Sequence, residues 1–243
     1  MAVLYVITPL AFSHLVRALV LSPETRVISA VSLAYGPMEF ITLALVLKGI
    51  SWGLSNEIRK GLIQTYLTYP IGRGRLLALK VFTTVGVPVL YVLLGIWLFA
   101  LVNLPELMAE HLGIFLTALA AAVGWVLFLS GLLLLIAILV RRGGPALGLG
   151  IGAWFGLSLL RTFLATAGGI TGQEAYWHAY YVLSPSTALE DHYRSIYFVH
   201  AGPTSPFRPE LWQCYAYLAS HYALAASFFA AALIYFLRRF EPI

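Results

Sequence analysis

Residues 112–140 read LGIFLTALAAAVGWVLFLSGLLLLIAILV, a run of 29 residues without a charged side chain. A helix needs about 20 mainly apolar residues to cross the roughly 30 Å hydrocarbon core of a bilayer. The run is longer than that, so a helix over its whole length would tilt in the bilayer or extend beyond it. We therefore predict that residues 112–140 form a transmembrane helix.

Comparable apolar segments recur along the 243-residue chain, which is 60% hydrophobic and 10% charged. Soluble domains average about 25% charged residues, so an ordinary soluble globule is excluded. Cys214 is the single cysteine, which excludes an intrachain disulfide. A window of about 19 residues predicts one all-α transmembrane domain over residues 1–243, with six spans. The spans are residues 3–21, 29–47, 81–102, 112–140, 146–168 and 212–237.

The first predicted span is interrupted by His14 and Arg17, and an interfacial helix is its alternative. It has no basic region at its start, so we expect a retained anchor rather than a cleaved signal peptide. With the amino terminus inside, 10 of the 15 Lys and Arg residues fall on the cytoplasmic side. The positive-inside rule then predicts that both termini are cytoplasmic. The net charge of +5 thus indicates topology, and no nucleic-acid partner is predicted.

Two predicted loops are long, an inner loop at residues 48–80 and an outer loop at residues 169–211. In the inner loop, residues 55–70 alternate apolar and polar side chains at helical spacing and end at Pro70. Gly72 and Gly74 follow in a basic turn. This amphipathic helix is either a membrane-surface helix facing lipid headgroups or an element that docks a cytoplasmic partner.

The pattern Glu57-x-x-x-Gly61, then Leu67-x-x-Pro70-Ile71-x-Arg73 and then Lys80, resembles the signature of the ABC-2 type permeases. In that family a Glu–basic–x–x–Gly helix, a Pro-Ile-Ser-Arg-like turn and a Gly-Lys re-entry join the second and third spans. This sequence departs from the family at Gly72, where Ser is frequent, and at Leu79, where Gly is common.

The resemblance implies the membrane subunit of an ATP-binding cassette exporter in the cytoplasmic membrane. It implies two copies of a nucleotide-binding ATPase subunit and a second permease copy, identical or related. ATP and Mg would lie on the ATPase, since this chain has no phosphate-binding loop and no cofactor of its own is expected. The inner-loop helix would be the coupling helix, with coupling residues Glu57, Arg59, Lys60, Gly61, Pro70 and Arg73.

Small residues recur every fourth position at the start of the fifth predicted span, at Gly144, Gly148, Gly152 and Gly156. Such a stripe forms a groove that admits a neighbouring helix. One interpretation is packing within the chain. The other, which the resemblance favours, is a dimer interface or the translocation path.

Glu39 is an ionisable residue inside the second predicted span, where a charge is costly and usually has a role. One interpretation is an ion pair with Arg17 or Arg161. The alternative is a polar contact that lines a substrate path together with Tyr35, Trp154 and Phe163.

The outer loop is rich in aromatic residues, which predicts an interfacial belt. Its Ser184-Pro185-Ser186 turn, placed before a short amphipathic helix, resembles the outer re-entrant region of the family. His178, His192 and His200 match no standard metal-site spacing, and no metal is predicted.

Three other functions are considered. An ion-coupled secondary transporter would need several embedded carboxylates, and a lipid-modifying membrane enzyme would need a catalytic cluster at a membrane face. A membrane anchor or sensor would need only the basic loop. Membrane lipid is an expected partner in every case, and the sequence leaves the substrate open.

Overall fold

The protein is helical throughout the part that the structure, a computed structural model, describes: residues 23–67, 72–197 and 207–239. These residues are 93% helical and contain no strand. In chain order the elements are α1 (Pro23–Val46), a π-helical stretch (Leu47–Leu54), α2 (Ser55–Arg59), α3 (Leu62–Leu67), α4 (Arg73–Val81), a second π-helical stretch (Phe82–Gly86), α5 (Val87–Asn103), α6 (Pro105–Glu110), α7 (Leu112–Val140), α8 (Gly143–Thr171), α9 (Glu174–Leu183), α10 (Pro185–Tyr197) and α11 (Leu211–Arg239).

Four helices of the described part are long and apolar enough to cross a membrane: Gly74–Val102, Leu112–Val140, Gly143–Thr171 and Leu211–Arg238. A fifth is added if the bent pair Arg26–Gly36 and Glu39–Arg59 counts as one span. Pro37 lies at that break, and proline removes a helix hydrogen bond and clashes with the preceding turn. The prediction of an all-α membrane protein is confirmed at this level. The predicted span at residues 3–21 lies outside the described residues.

Most of the predicted inner loop, residues 48–80, is helical in the part that the structure describes. The helix that begins at Pro23 continues through the π-helical stretch and α2 to Arg59, and the next long helix begins at Arg73. Hydropathy falls where side chains become polar, but a helix continues as long as its backbone hydrogen bonds do. The apolar window therefore ended both flanking helices too early.

The prediction of one continuous amphipathic helix over residues 55–70 is wrong. It breaks at Lys60 and Gly61, where Gly61 has φ +72° and donates its backbone N–H to Ile58 O at 3.2 Å. Glycine takes this left-handed conformation without a β-carbon clash, which is why it commonly follows the last turn of a helix. Two short helices, α2 and α3, replace the predicted one.

The chain divides into two compact units, each with its own core. Unit 1 comprises, among the described residues, 23–40, 91–125, 159–197 and 207–221; unit 2 comprises 41–67, 72–90, 126–158 and 222–239. The core of unit 1 includes fully buried Phe115 and Tyr181. The core of unit 2 includes Leu129, Leu133 and Phe236, which are equally buried.

Within unit 2, α7 and α11 pack closely at Gly131. A β-carbon at Gly131 would lie 3.1 Å from the Ala225 backbone oxygen and 3.1 Å from Phe228 Cβ. The Phe128 and Phe228 rings meet edge to face, with centroids 5.4 Å apart. Because a backbone oxygen cannot rotate away as a side chain can, any larger residue at this position would have to shift the neighbouring helix.

We expect Gly131→Leu to lower the free energy of unfolding by about 1–3 kcal/mol, because the larger side chain overpacks the α7–α11 contact. The matched control is Gly113→Leu on the same helix, where a β-carbon would meet nothing within 4 Å. Reversible unfolding of the purified chain in mixed micelles measures both variants. Equal effects of the two substitutions would contradict the packing at Gly131.

Candidate functional site: an anchored inner loop and a polar cavity

Three consecutive side chains at the start of α2 connect it to other helices of unit 2. Ser55 Oγ donates to Ala137 O on α7 at 3.1 Å. Asn56 lies against the start of α8, since a β-carbon at Gly143 would lie 2.7 Å from Asn56 Nδ2. We call Ser55, Asn56 and Glu57 the anchor residues.

Glu57, the third anchor residue, pairs with Lys80 near the end of α4. Both carboxylate oxygens lie 2.8 Å from Lys80 Nζ. The side chains are 26% and 28% exposed, so water screens the pair only in part. The interaction connects the two ends of the inner loop across 23 residues of sequence.

The predicted coupling residues occupy different environments. Glu57 is engaged within the chain, whereas Arg59 and Lys60 are exposed directly after the anchor residues. Gly61 makes the break between α2 and α3. Pro70 lies outside the described residues, and Arg73 begins α4.

The predicted glycine stripe of α8 faces no other part of unit 2. A β-carbon at Gly144, Gly148, Gly152 or Gly156 would meet nothing within 4 Å among the described residues. The close contacts of this helix are made instead by Gly143 and by Gly150, whose β-carbon would lie 2.7 Å from Leu133 Cδ2. Packing within the chain, one of the two interpretations of the stripe, is therefore not seen in the described part.

In unit 1, Glu39 belongs to a polar group. Trp125 Nε1 donates to Glu39 Oε1 at 2.6 Å, and the Arg161 guanidinium lies 4.8 Å from the centroid of the Trp125 ring. The His221 ring stacks on the Trp125 ring at a centroid distance of 6.2 Å. Glu39 and Arg161 therefore both contact the Trp125 indole. Arg17, the other predicted partner of Glu39, lies outside the described residues.

Glu39 also lines a cavity of about 190 Å³ inside unit 1. Ser32 lies on its wall and donates to Glu190 Oε1 at 2.6 Å. The hydroxyl of Tyr35, a third lining residue, is buried without a hydrogen-bond partner in the described part. The described residues that line it are Ile28, Val31, Ser32, Tyr35, Gly36, Glu39, Ala118, Ala122, Ser186, Leu189 and Glu190.

The cavity brings together two of the four residues predicted for a substrate path, Tyr35 and Glu39. Phe163 is not among its lining residues and is 62% exposed. Trp154 belongs to unit 2, where its ring contacts that of Phe155. Ser32, Glu190 and Trp125 were missed, because their contacts join residues 86 to 158 positions apart and leave no local pattern.

Two of the outer aromatic residues are buried, and the interfacial belt stays a prediction. Trp177 is 5% exposed and Tyr181 is fully buried, and the Tyr181 hydroxyl donates to Asp191 Oδ2 at 2.8 Å. The two described histidines of this region bond elsewhere, His178 Nδ1 with the Tyr217 hydroxyl and His192 Nδ1 with Pro209 O. No group of three or more potential metal ligands occurs in the described residues, and His200 lies outside them.

Comparison of the sequence with protein-family models and with curated proteins finds no match.

The Glu57–Lys80 pair should be measurable by a double-mutant cycle. We expect Glu57→Gln and Lys80→Met to be less destabilising together than the sum of the single variants, with a coupling energy of about 1 kcal/mol. Unfolding of the four proteins in mixed micelles gives this value. Arg59→Gln, at an exposed neighbour, is the control and should change stability by less than about 0.5 kcal/mol. If the destabilising effects of the two single substitutions simply add, the Glu57–Lys80 pair does not stabilise the loop.

Proposed function

We propose that this chain is the permease subunit of an ATP-binding cassette exporter of the ABC-2 type in the cytoplasmic membrane. It would act with two copies of an ATPase subunit, which bind ATP and Mg, and with a second permease copy, identical or related. The observation that carries the proposal is the α2–α3 segment. Its base is fixed to three helices by the anchor residues, and its next two residues are exposed cations.

A coupling element must receive a displacement at an exposed surface and pass it to the spans. Arg59 and Lys60 supply a surface that attracts acidic side chains of a partner. The contacts of Ser55, Asn56 and Glu57 lead directly to α7, α8 and α4. Closure of the ATPase dimer on nucleotide would displace α2, and these contacts would carry the movement into the spans, giving alternating access. A helix that only rests on lipid headgroups has no need of three such anchors.

The distribution of charge between the units supports the proposed topology. Among the described residues, unit 2 contains 10 basic residues and one acidic residue, Glu57, whereas unit 1 contains 4 basic and 8 acidic residues. An excess of Lys and Arg is typical of cytoplasmic segments. The proposal therefore places the exposed ends of unit 2 in the cytoplasm, together with both termini of a six-span chain.

The open face of α8 supports the proposal of a second permease copy. Only 6% of its most apolar window is buried, although this helix has the length of a span. At each glycine of the stripe, a β-carbon would meet nothing within 4 Å among the described residues. Small residues let two helix backbones approach closely in a membrane, which makes this stripe the proposed contact with the second copy.

We expect the double variant Arg59→Glu with Lys60→Glu to lose its ATPase partner, because reversed charge repels an acidic docking surface. The tagged chain is purified from its native host in mild detergent, and the eluate is analysed by mass spectrometry and ATPase assay. The unaltered chain should recover a nucleotide-binding subunit in equal amount, and the variant at most a tenth of it.

The matched control reverses two exposed acidic residues of unit 1, Glu106→Lys with Glu110→Lys, and should retain the ATPase. Recovery of the unaltered chain without any nucleotide-binding subunit would overturn the exporter proposal. Equal recovery by both double variants would overturn the role given to Arg59 and Lys60.

A further inference from the structure

We propose that the two π-helical stretches of unit 2 form a paired hinge, whose backbone hydrogen bonds change between the π and the α register. The inference deepens the proposed function, because such a hinge would let a displacement of α2 reach α1 and α5. The hinge itself is a property of this chain and needs no ATPase. Three observations carry it: the contact between the stretches, their hydrogen-bond register and their position beside the anchor residues.

The two stretches, Leu47–Leu54 and Phe82–Gly86, lie against each other. A β-carbon at Gly49 would lie 3.0 Å from Thr84 Cγ2 and 3.1 Å from Thr84 Cβ, so the two backbones are close. π-Helices are rare, occur mostly as bulges of a single turn and are frequent at functional sites. The first stretch has 8 residues and is longer than such a bulge. Two irregularities of the backbone thus meet at one place in unit 2.

Both stretches end in the same hydrogen-bond register. The Ser55 N–H bonds to Ile50 O and the Val87 N–H bonds to Phe82 O, each five residues earlier in the chain. The α-helical acceptor of each N–H would be the next carbonyl, four residues earlier. Ser51 Oγ is buried without a hydrogen-bond partner among the described residues, so no side-chain bond of Ser51 fixes this turn. A shift by one acceptor would change each stretch to the α register.

In the second stretch, threonine hydroxyls bond to a carbonyl at which the register would change. Thr84 Oγ1 donates to Lys80 O at 2.6 Å, and Thr83 Oγ1 can donate to Leu79 O or Lys80 O, each at 3.0 Å. Lys80 O is also the acceptor that the Thr84 N–H would use in an α-helix. Because hydroxyls bond to this carbonyl, it keeps a partner while the backbone N–H groups change theirs.

The stretches lie next to the ion pair that connects the ends of the inner loop. The anchor residues directly follow the first stretch, and the second begins shortly after Lys80, the partner of Glu57. A π turn contains one more residue than an α turn, so conversion of one turn rotates the adjoining helix by about 100° and lengthens it by about 1.5 Å. Since the anchor residues hold α2 and α4 on one side of the stretches, the ends of α1 and α5 in unit 2 would rotate. This rotation would separate Gly49 from Thr84.

Hydrogen exchange of the purified full chain in detergent, measured residue by residue with mass spectrometry, is the first test. We expect the amides of Ile50 and Ser51 to exchange at least tenfold faster than those of Thr42 and Val46 on α1, because a change of register breaks their hydrogen bonds. All four residues are fully buried, so exposure does not explain a difference. Equal exchange at the two pairs of amides would overturn the hinge.

A disulfide between the stretches distinguishes a change of register from local fraying. Gly49→Cys with Thr84→Cys is made in a Cys214→Ala background, which removes the single native cysteine. The β-carbons would lie about 3.1 Å apart, within a few tenths of an ångström of the disulfide range. We expect oxidation to slow exchange of residues 50 and 51 at least tenfold, and reduction to restore it.

The matched control is Thr84→Cys alone in the same background, which has no second thiol and should not respond to oxidation. A disulfide that leaves exchange unchanged, or an equal response of the single and double variants, would overturn the hinge. If the double variant fails to fold, the comparison of equally buried amides in the unaltered chain still decides.

The same variant tests the connection with the proposed function when the chain is purified with its ATPase. Oxidation should abolish the nucleotide-dependent change of exchange in residues 41–46, and reduction should restore it. A nucleotide response that persists in the oxidised variant would overturn the hinge as the route to α1. The first two tests contain no ATPase, so a chain that recovers no ATPase contradicts the exporter proposal, whereas those two tests decide the hinge.

Discussion

The attachment of the inner loop to three helices is the constraint on which the account of this protein depends. Ser55, Asn56 and Glu57 are consecutive, yet they contact α7, α8 and α4 in turn. In a chain with so few charged residues, each partly buried polar group needs a partner, and these partners fix where α2 lies. The break at Gly61 then directs the chain away from the anchored turn. The start of the loop is thereby attached to unit 2 and is followed directly by two exposed cations, Arg59 and Lys60.

The two units differ in chemistry in a way that fits separate tasks. Unit 2 is strongly basic and presents Arg59 and Lys60, whereas unit 1 is acidic and contains the cavity with Glu39 and Glu190. Under the proposed function, the exposed cations of unit 2 suit contact with acidic side chains of the ATPase partner.

Hydropathy alone predicts the helical class and the bounds of α7, because a long uncharged run can form only one kind of element in a bilayer. The inner loop was predicted less well. Periodicity indicated one amphipathic helix over residues 55–70, since it does not register the backbone conformation of a single glycine such as Gly61. For the glycine stripe of α8 the sequence left two interpretations, and only the structure shows that the described residues leave the space beside it open. The cavity could not be predicted, because Glu190 reaches it from a distant part of the chain and Glu39, on its wall, is held by the equally distant Trp125.

The measurement that tests the central claim most directly is hydrogen exchange of the full chain in native membranes, with ATP and vanadate compared with ADP. We expect hydrogen exchange in residues 55–67 to change with nucleotide. Exchange at the ends of α4, α7 and α8 that the anchor residues contact should change together with it. Exchange that is the same in both nucleotide states would contradict a coupling role for this loop. A change confined to residues 55–67 would show that the anchor residues do not transmit the movement.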